Sequence, residues 1–104
     1  MKEITVQELK EKKDNREKFT LLDVRESHEY YISNIGGLLI PLDQLGGKLN
    51  EFDKNEEIVI TCRSGSRSAK ACELLSENGF TNVFNLQGGV NEWARQIDTS
   101  LPVY

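Results

Sequence analysis

Cys62 ends an apolar run, "IVITC", and is followed by Arg63, Ser64, Gly65, Ser66 and Arg67 before a helical pattern begins. A thiol in that setting can act as a nucleophile once it is ionised. Gly65 allows a positive φ, so the N–H groups of the loop can curl inward into an anion-binding nest. A helix starting near Ser66 or Arg67 adds its N-terminal dipole and unpaired donors, and the two arginines add full positive charge. All three effects favour thiolate over thiol: an unperturbed cysteine near ~8.5 falls to roughly 3.5–7.5 in such surroundings. The donors that stabilise the thiolate would also receive the anion it attacks. A buried structural cysteine before an ordinary Ser/Gly turn is the plain alternative. Against it, the glycine, both arginines and the helix start all fall within five positions of Cys62.

The charge pattern agrees. The 104-residue chain carries a net charge of −4, with acids and bases interleaved, yet between Ile58 and Cys72 there are three bases (Arg63, Arg67, Lys70) and no acid. An acidic protein has kept one positive spot around a cysteine. With no basic stripe interleaved with aromatics, nucleic acid is not an expected partner. No window approaches the ~18 apolar residues of a membrane span, the N-terminus lacks a signal-peptide core, and two cysteines are few for a disulfide framework. Reduced thiols in the cytoplasm are expected, away from any membrane.

Other chemically able residues read as support. Asp23 ends a strand-like run beside the site. Its carboxylate could accept hydrogen bonds from the loop or cap the next helix. Arg25 and Glu29, spaced i, i+4, could pair as surface charges. Gly88-Gly89 opens the last helix, facing the loop, where small residues would leave room for substrate. Cys72, ten positions after Cys62, shares a helical face with Ala69 and Leu75 and reads as a core thiol about three turns, or ~15 Å, away. His28 lies in a polar segment without metal-ligand spacing, so no metal site is expected. Trp93 reads as a core anchor, and Leu101, Val103 and Tyr104 as a tail packed on the domain.

These residues need elements to hold them. "EITV" reads as a brief strand with Thr5 capping a helix over "VQELKEKK". "FTLLDV" (19–24), "EEIVITC" (56–62) and "NVFNL" (82–86) read as strands, as does "GGLLIPL" up to Pro41. "ESHEYYI" is a short helix, "LDQLGGKLNEF" a weak one interrupted by Gly46-Gly47, and "SRSAKACELLSENGF" the strongest, stopped by Asn78-Gly79. "GGVNEWARQI" is the last helix. Alternation of strands and helices points to an α/β sandwich. The unbroken runs "IVI" and "LLI" fit a largely parallel sheet covered on both faces, whose sites lie beyond the carboxyl ends of its strands. Asp23, Cys62 and Gly88-Gly89 all stand there.

"LLDVRESHEYYISNIGGLLIPL" (21–42) and "IVITCRSGSRSAKACELLSENGFTNVFNLQGGVNEW" (58–93) resemble the two signatures of the rhodanese-homology family of sulfurtransferases. One departure is Asn34, before Ile35 and Gly36, where the family often has His at a structural position. The resemblance implies a rhodanese-like three-layer sandwich, with a five-stranded mostly parallel sheet and helices on both faces, as a single domain over residues 1–104. It also implies that Cys62 takes the outer sulfur of a donor such as thiosulfate, becoming a persulfide, and passes it to cyanide in assays or to a thiol or protein in cells. The loop N–H groups from Arg63 to Arg67 would hold the terminal sulfur, Arg67 would orient the loop, and Arg63 would attract the donor. No cofactor is implied. A second reading is a binding module that relays sulfur to one partner. A third is a phosphatase of the same fold, which would need C-x-x-x-x-x-R. The loop here is one residue shorter, and suits a single sulfur better than a phosphoryl group's three oxygens.

Overall fold

A computed structural model describes residues 1–104. Five strands, β1 (Glu3–Ile4), β2 (Thr20–Asp23), β3 (Leu38–Leu39), β4 (Ile58–Thr61) and β5 (Val83–Leu86), form one sheet in the order β1-β5-β4-β2-β3. Every neighbouring pair is parallel. The sheet is thus wholly rather than mostly parallel. Helices lie between successive strands, and no tight hairpin occurs. The helices are α1 (Val6–Asp14), α2 (Ser27–Ile32), α3 (Leu42–Leu45), α4 (Ser66–Glu77) and α5 (Gly89–Gln96). None is long and apolar enough to cross a membrane.

β4 shows why the sheet needs both covers. All four of its residues are buried. Ile58 and Ile60 join Leu45 of α3 and Ala71, Cys72 and Leu75 of α4 in one core cluster. Val59 joins Leu9 of α1 and Val90 and Trp93 of α5 in the other. Side chains alternate between faces along a strand, so this unalternated apolar run feeds two cores at once.

Local signals set the helix ends. The Thr5 hydroxyl accepts from the Glu8 amide at 3.1 Å while Glu8 Oε1 accepts from the Thr5 amide at 2.9 Å, a reciprocal capping box. The interrupted segment splits into the four residues of α3 and a 3₁₀ turn over Gly46–Glu51. Asn78 caps α4, and Gly79 follows at φ +87°.

The sheet order also places the site. β2 leads to its neighbour β3 on one side, and β4 leads to β5 on the other. The connections diverge at the carboxyl ends of β2 and β4, where Asp23 and Thr61 are register partners. In open α/β sheets that divergence opens a crevice. Cys62 is the next residue after Thr61.

Candidate active site

Cys62 leaves β4 with its side chain in the core beneath α4 and only 1% of its surface exposed. Gly65, at φ +118°, turns the chain and caps α4, and its amide donates to Cys62 Sγ at 3.1 Å. The Ser68 hydroxyl lies 3.3 Å from the same sulfur. Burial is the largest single influence on this thiol and would push it up. The Ser68 hydroxyl and the amides of Ser68, Gly65 and Ser64 outweigh it and hold the thiol below its ordinary range. The inward-curled loop is therefore present, and amides together with one hydroxyl stabilise the thiolate.

Ser68 and Asn85 form the part of the site that the sequence reading missed. Both are buried. Ser68 Oγ lies 2.5 Å from Asn85 Oδ1 and 3.1 Å from the Gly65 carbonyl, and Asn85 Nδ2 donates to that carbonyl at 3.2 Å. A hydroxyl has one proton to give. Beside a thiolate it points at Sγ; beside a thiol, S–H donates to Ser68 Oγ, and Ser68 donates onward to Asn85. The available signal was a polar residue on an otherwise apolar surface: Ser68 precedes Cys72 by one helical turn, and Asn85 interrupts "VFNL". Such groups are buried only where partners await them.

The three arginines divide differently from expectation. Arg67 makes a two-pronged pair with Glu29, at 2.6 and 2.8 Å. The Arg67 hydrogen bonds, against burial, bring the Glu29 carboxyl down to about 2. Arg67 thus ties α4 to α2, and its charge is balanced by Glu29. Arg25 is not a surface partner of Glu29: it is fully buried, and it donates to both Asp23 oxygens at 2.7–3.1 Å and to the Ser33 carbonyl at 2.8 Å. Asp23 therefore neither receives the loop nor caps α2. Its Oδ1 accepts from the Arg25 amide at 3.0 Å, so both its oxygens serve Arg25, and Glu26 takes the cap position of α2. A buried guanidinium requires a carboxylate, and Asp23, two residues away, supplies one. Arg63 stays exposed at the rim. Its Nε donates to the Tyr104 carbonyl, and its guanidinium lies 4.8 Å from the centre of the Tyr104 ring. Ser64 and Ser66 are exposed.

Gly88 and Gly89 do adjoin the loop, for a different reason from room for substrate. The Val90 amide donates to the Cys62 carbonyl at 2.9 Å and the Asn91 amide to the Arg63 carbonyl at 3.1 Å. A Cβ on Gly89 would stand 2.6 Å from the Arg63 carbonyl oxygen and closer still to that of Cys62. The glycine lets the first turn of α5 grip the loop backbone. Cys72 is a core thiol, pushed up to about 12 chiefly by burial. It enters the same core cluster as Cys62 from α4, which begins only at Ser66. Asn34 is structural: its Nδ2 donates to the Tyr30 carbonyl at 3.0 Å and its Oδ1 accepts from the Gly36 amide at 3.0 Å. In the tail, Leu101 packs on the core and Tyr104 is half-buried, but Val103 is exposed.

Comparison with known proteins fits this geometry. A Bacillus subtilis protein named for sulfur carriage, YrkF, is 39% identical over 97 residues; the alignment covers 92% of this chain, which spans only about half (52%) of that protein's length. A second B. subtilis protein, YtwF, named as a sulfurtransferase, is 39% identical over 94 residues, covering 89% of this chain and 90% of its own. The crystal structure of a rhodanese-like domain protein from Staphylococcus aureus superposes with a TM-score of 0.83 at 39% identity, covering 89% of this chain and 91% of that one. The family model described as "Rhodanese-like domain" matches residues 5–96, and the chain belongs to that family.

Proposed function

We propose that this protein is a rhodanese-type sulfurtransferase, a single domain in which Cys62 carries sulfane sulfur as a persulfide. The observation that carries the reading is the sulfur of Cys62, 3.1 Å from the Gly65 amide and 3.3 Å from the Ser68 hydroxyl, held toward the thiolate at the end of the central strand. The thiolate attacks the outer sulfur of thiosulfate. A new S–S bond forms, the donor's S–S bond breaks, and sulfite leaves with the electron pair. The terminal sulfur of the persulfide then sits among the amides from Arg63 to Arg67. In the second half-reaction a nucleophile (cyanide in assay, a thiol or protein in cells) attacks that sulfur, and the electron pair returns to Cys62 as thiolate. The Ser68 hydroxyl and the loop amides favour the thiolate, which eases loss of the thiol proton. Two free thiols suit a reducing compartment such as the cytoplasm.

The pairing of Arg67 with Glu29 weighs against the phosphatase reading, which needs that guanidinium free for the oxyanion. A relay module serving one protein partner is the second reading. Two large concavities, of about 510 and 520 Å³, lie at Cys72 and at Lys18–Asn82, away from Cys62. YrkF, moreover, is named as a carrier.

Intact-mass measurement after thiosulfate treatment tests the half-reaction. The protein should gain one sulfur atom, and Cys62→Ala should gain none; a mass unchanged by thiosulfate and by other sulfane donors would refute it. Steady-state thiosulfate:cyanide turnover then separates enzyme from relay module, which would turn over negligibly while its persulfide passes to a tightly bound protein.

A further inference from the structure

Asn85 stands where the sheet calls for an apolar residue. It shares a face of β5 with Val83, which joins the core beneath α4, and it is buried. Donor chemistry fixes what it meets there. The Gly65 carbonyl can only accept, so it takes Asn85 Nδ2 at 3.2 Å, and Asn85 Oδ1 is left facing Ser68 Oγ at 2.5 Å. The same carbonyl accepts from the Ala69 amide at 3.1 Å. Its two lone pairs are thus met without Ser68. Two acceptors remain in need of the hydroxyl proton: Cys62 Sγ, 3.3 Å from Ser68 Oγ, and Asn85 Oδ1.

The contest has a different winner in each state of the sulfur. When Sγ is a thiolate, the charged acceptor takes the proton. Oδ1 is then left in the core without a donor, a cost that falls on the thiolate. When Sγ is a thiol, S–H donates to Ser68 Oγ and the hydroxyl turns to Oδ1. In a persulfide Sγ is a neutral bridging atom, the negative charge lies on the terminal sulfur, and the hydroxyl again turns to Oδ1. Throughout, the hydroxyl only rotates, and the thiol proton leaves to solvent.

Few charges face this thiol from the elements around it. α4 contributes Arg67, paired with Glu29, and Cys72, un-ionised at neutral pH; its Lys70, Glu73 and Glu77 are exposed, as are Arg63 in the loop and Asp43 of α3. Asp23 and Arg25 pair with each other, as do Glu92 and Arg95 of α5, and β5 carries no titratable side chain.

We propose that Asn85 is a positioning residue that acts through Ser68: it withdraws the hydroxyl from Cys62 whenever Sγ is uncharged, and so favours the sulfur-loaded form over the bare thiolate. The loaded form rests on the sulfur-transfer reading; the competition for one proton does not.

A double-mutant cycle on the pH profile of iodoacetamide reaction at Cys62 tests the competition without requiring turnover. Asn85→Leu, close in size but with no acceptor, should move the midpoint down by about half a unit to one unit, the size of one neutral hydrogen bond. Ser68→Ala should move it up. In the Ser68→Ala background, Asn85→Leu should move nothing further. A folded Asn85→Leu protein with an unchanged or raised midpoint overturns the proposal, as does an equal downward shift without Ser68, which would assign the effect to the loop backbone. Melting curves identify a variant that fails to fold. In that case the Asn85 side-chain carbonyl carbon, followed by NMR in the wild-type protein, decides: it should titrate with the Cys62 midpoint, and a resonance that is constant through that midpoint overturns the proposal. Intact mass at set sulfite:thiosulfate ratios then reads the loading. Asn85→Leu should reach half-loading at a ratio lower by about 3- to 10-fold, the same half unit to one unit, and a ratio equal to wild type overturns the claim on loading. Failure of the wild-type protein to take up sulfur from any sulfane donor would overturn the sulfur-transfer reading alone, since the alkylation cycle still reports on Asn85.

Discussion

At the scale of single residues, the state of Cys62 is a contest between burial and donors. Burial is the larger single effect, and it loses to the sum of one hydroxyl and three amides. Two thiols of one core cluster thereby acquire opposite characters: Cys62 sits below its ordinary range and Cys72 well above it, for want of donors. Ser68 is the only side chain among the donors to Cys62, so its removal is informative. A hydrogen bond to a charged group contributes about 1.5–3 kcal/mol, which is about 1–2 pH units. Ser68→Ala should shift the pH midpoint of iodoacetamide reaction at Cys62 upward by about one unit, slowing the reaction at neutral pH. An unmoved midpoint would mean that the amides suffice. The same change removes the one hydroxyl that Sγ, Asn85 and the Gly65 carbonyl share, and chemical denaturation should register a loss of about 1–2 kcal/mol.

At the scale of elements, the loop from Cys62 to Arg67 is braced from two directions. α4 begins at its end, and the first turn of α5 closes on its backbone through the Val90 and Asn91 amides. Gly89, at φ +60°, makes the second brace possible. A methyl group there meets two backbone carbonyls, which cannot swing aside as a side chain could. Gly89→Ala should therefore destabilise the fold by about 2–4 kcal/mol, combining the left-handed backbone cost with two broken hydrogen bonds. Urea titration measures this. The neighbouring Gly88 would meet the Glu92 side chain instead, which can rotate away, so alanine there should cost less. A variant at Gly89 as stable as wild type would show that the loop stands without α5.

At the scale of the whole molecule, Glu29 and Arg67 join the segment after β2 to the helix after β4, across the crevice where the connections diverge. The carboxyl of Glu29 sits near 2 in the folded chain against an ordinary 4.5. A lowered folded value contributes stability that is complete above the unfolded value and is lost as pH falls through the folded one. The pair's contribution should hold at neutral pH and fade between about 4.5 and 2. With Arg67 one-third exposed, solvent screening reduces it to about 1–2 kcal/mol. Glu29→Gln should lower stability by that amount at pH 7, and denaturation curves of the two proteins should converge near pH 2. A gap independent of pH would assign the effect to packing.

The amino-acid sequence by itself determined whatever depends on neighbours along the chain. Strand and helix order followed from apolar periodicity, the Thr5 cap and the Asn78-Gly79 stop from residue type, and the Cys62–Arg67 turn from one glycine before a helix start. These are local energies, legible within a few positions. Which charges meet was decided only by tertiary structure. Arg25 and Glu29, four residues apart, were the natural helical pair, yet folding buried the arginine against Asp23 and turned the glutamate to Arg67, 38 positions away. Ser68, Asn85 and Tyr104 reached the site in the same way. A polar group's partner is whichever complementary group the packed layers bring within about 3 Å, and that distance is set by how the sheet is ordered, not by spacing along the chain.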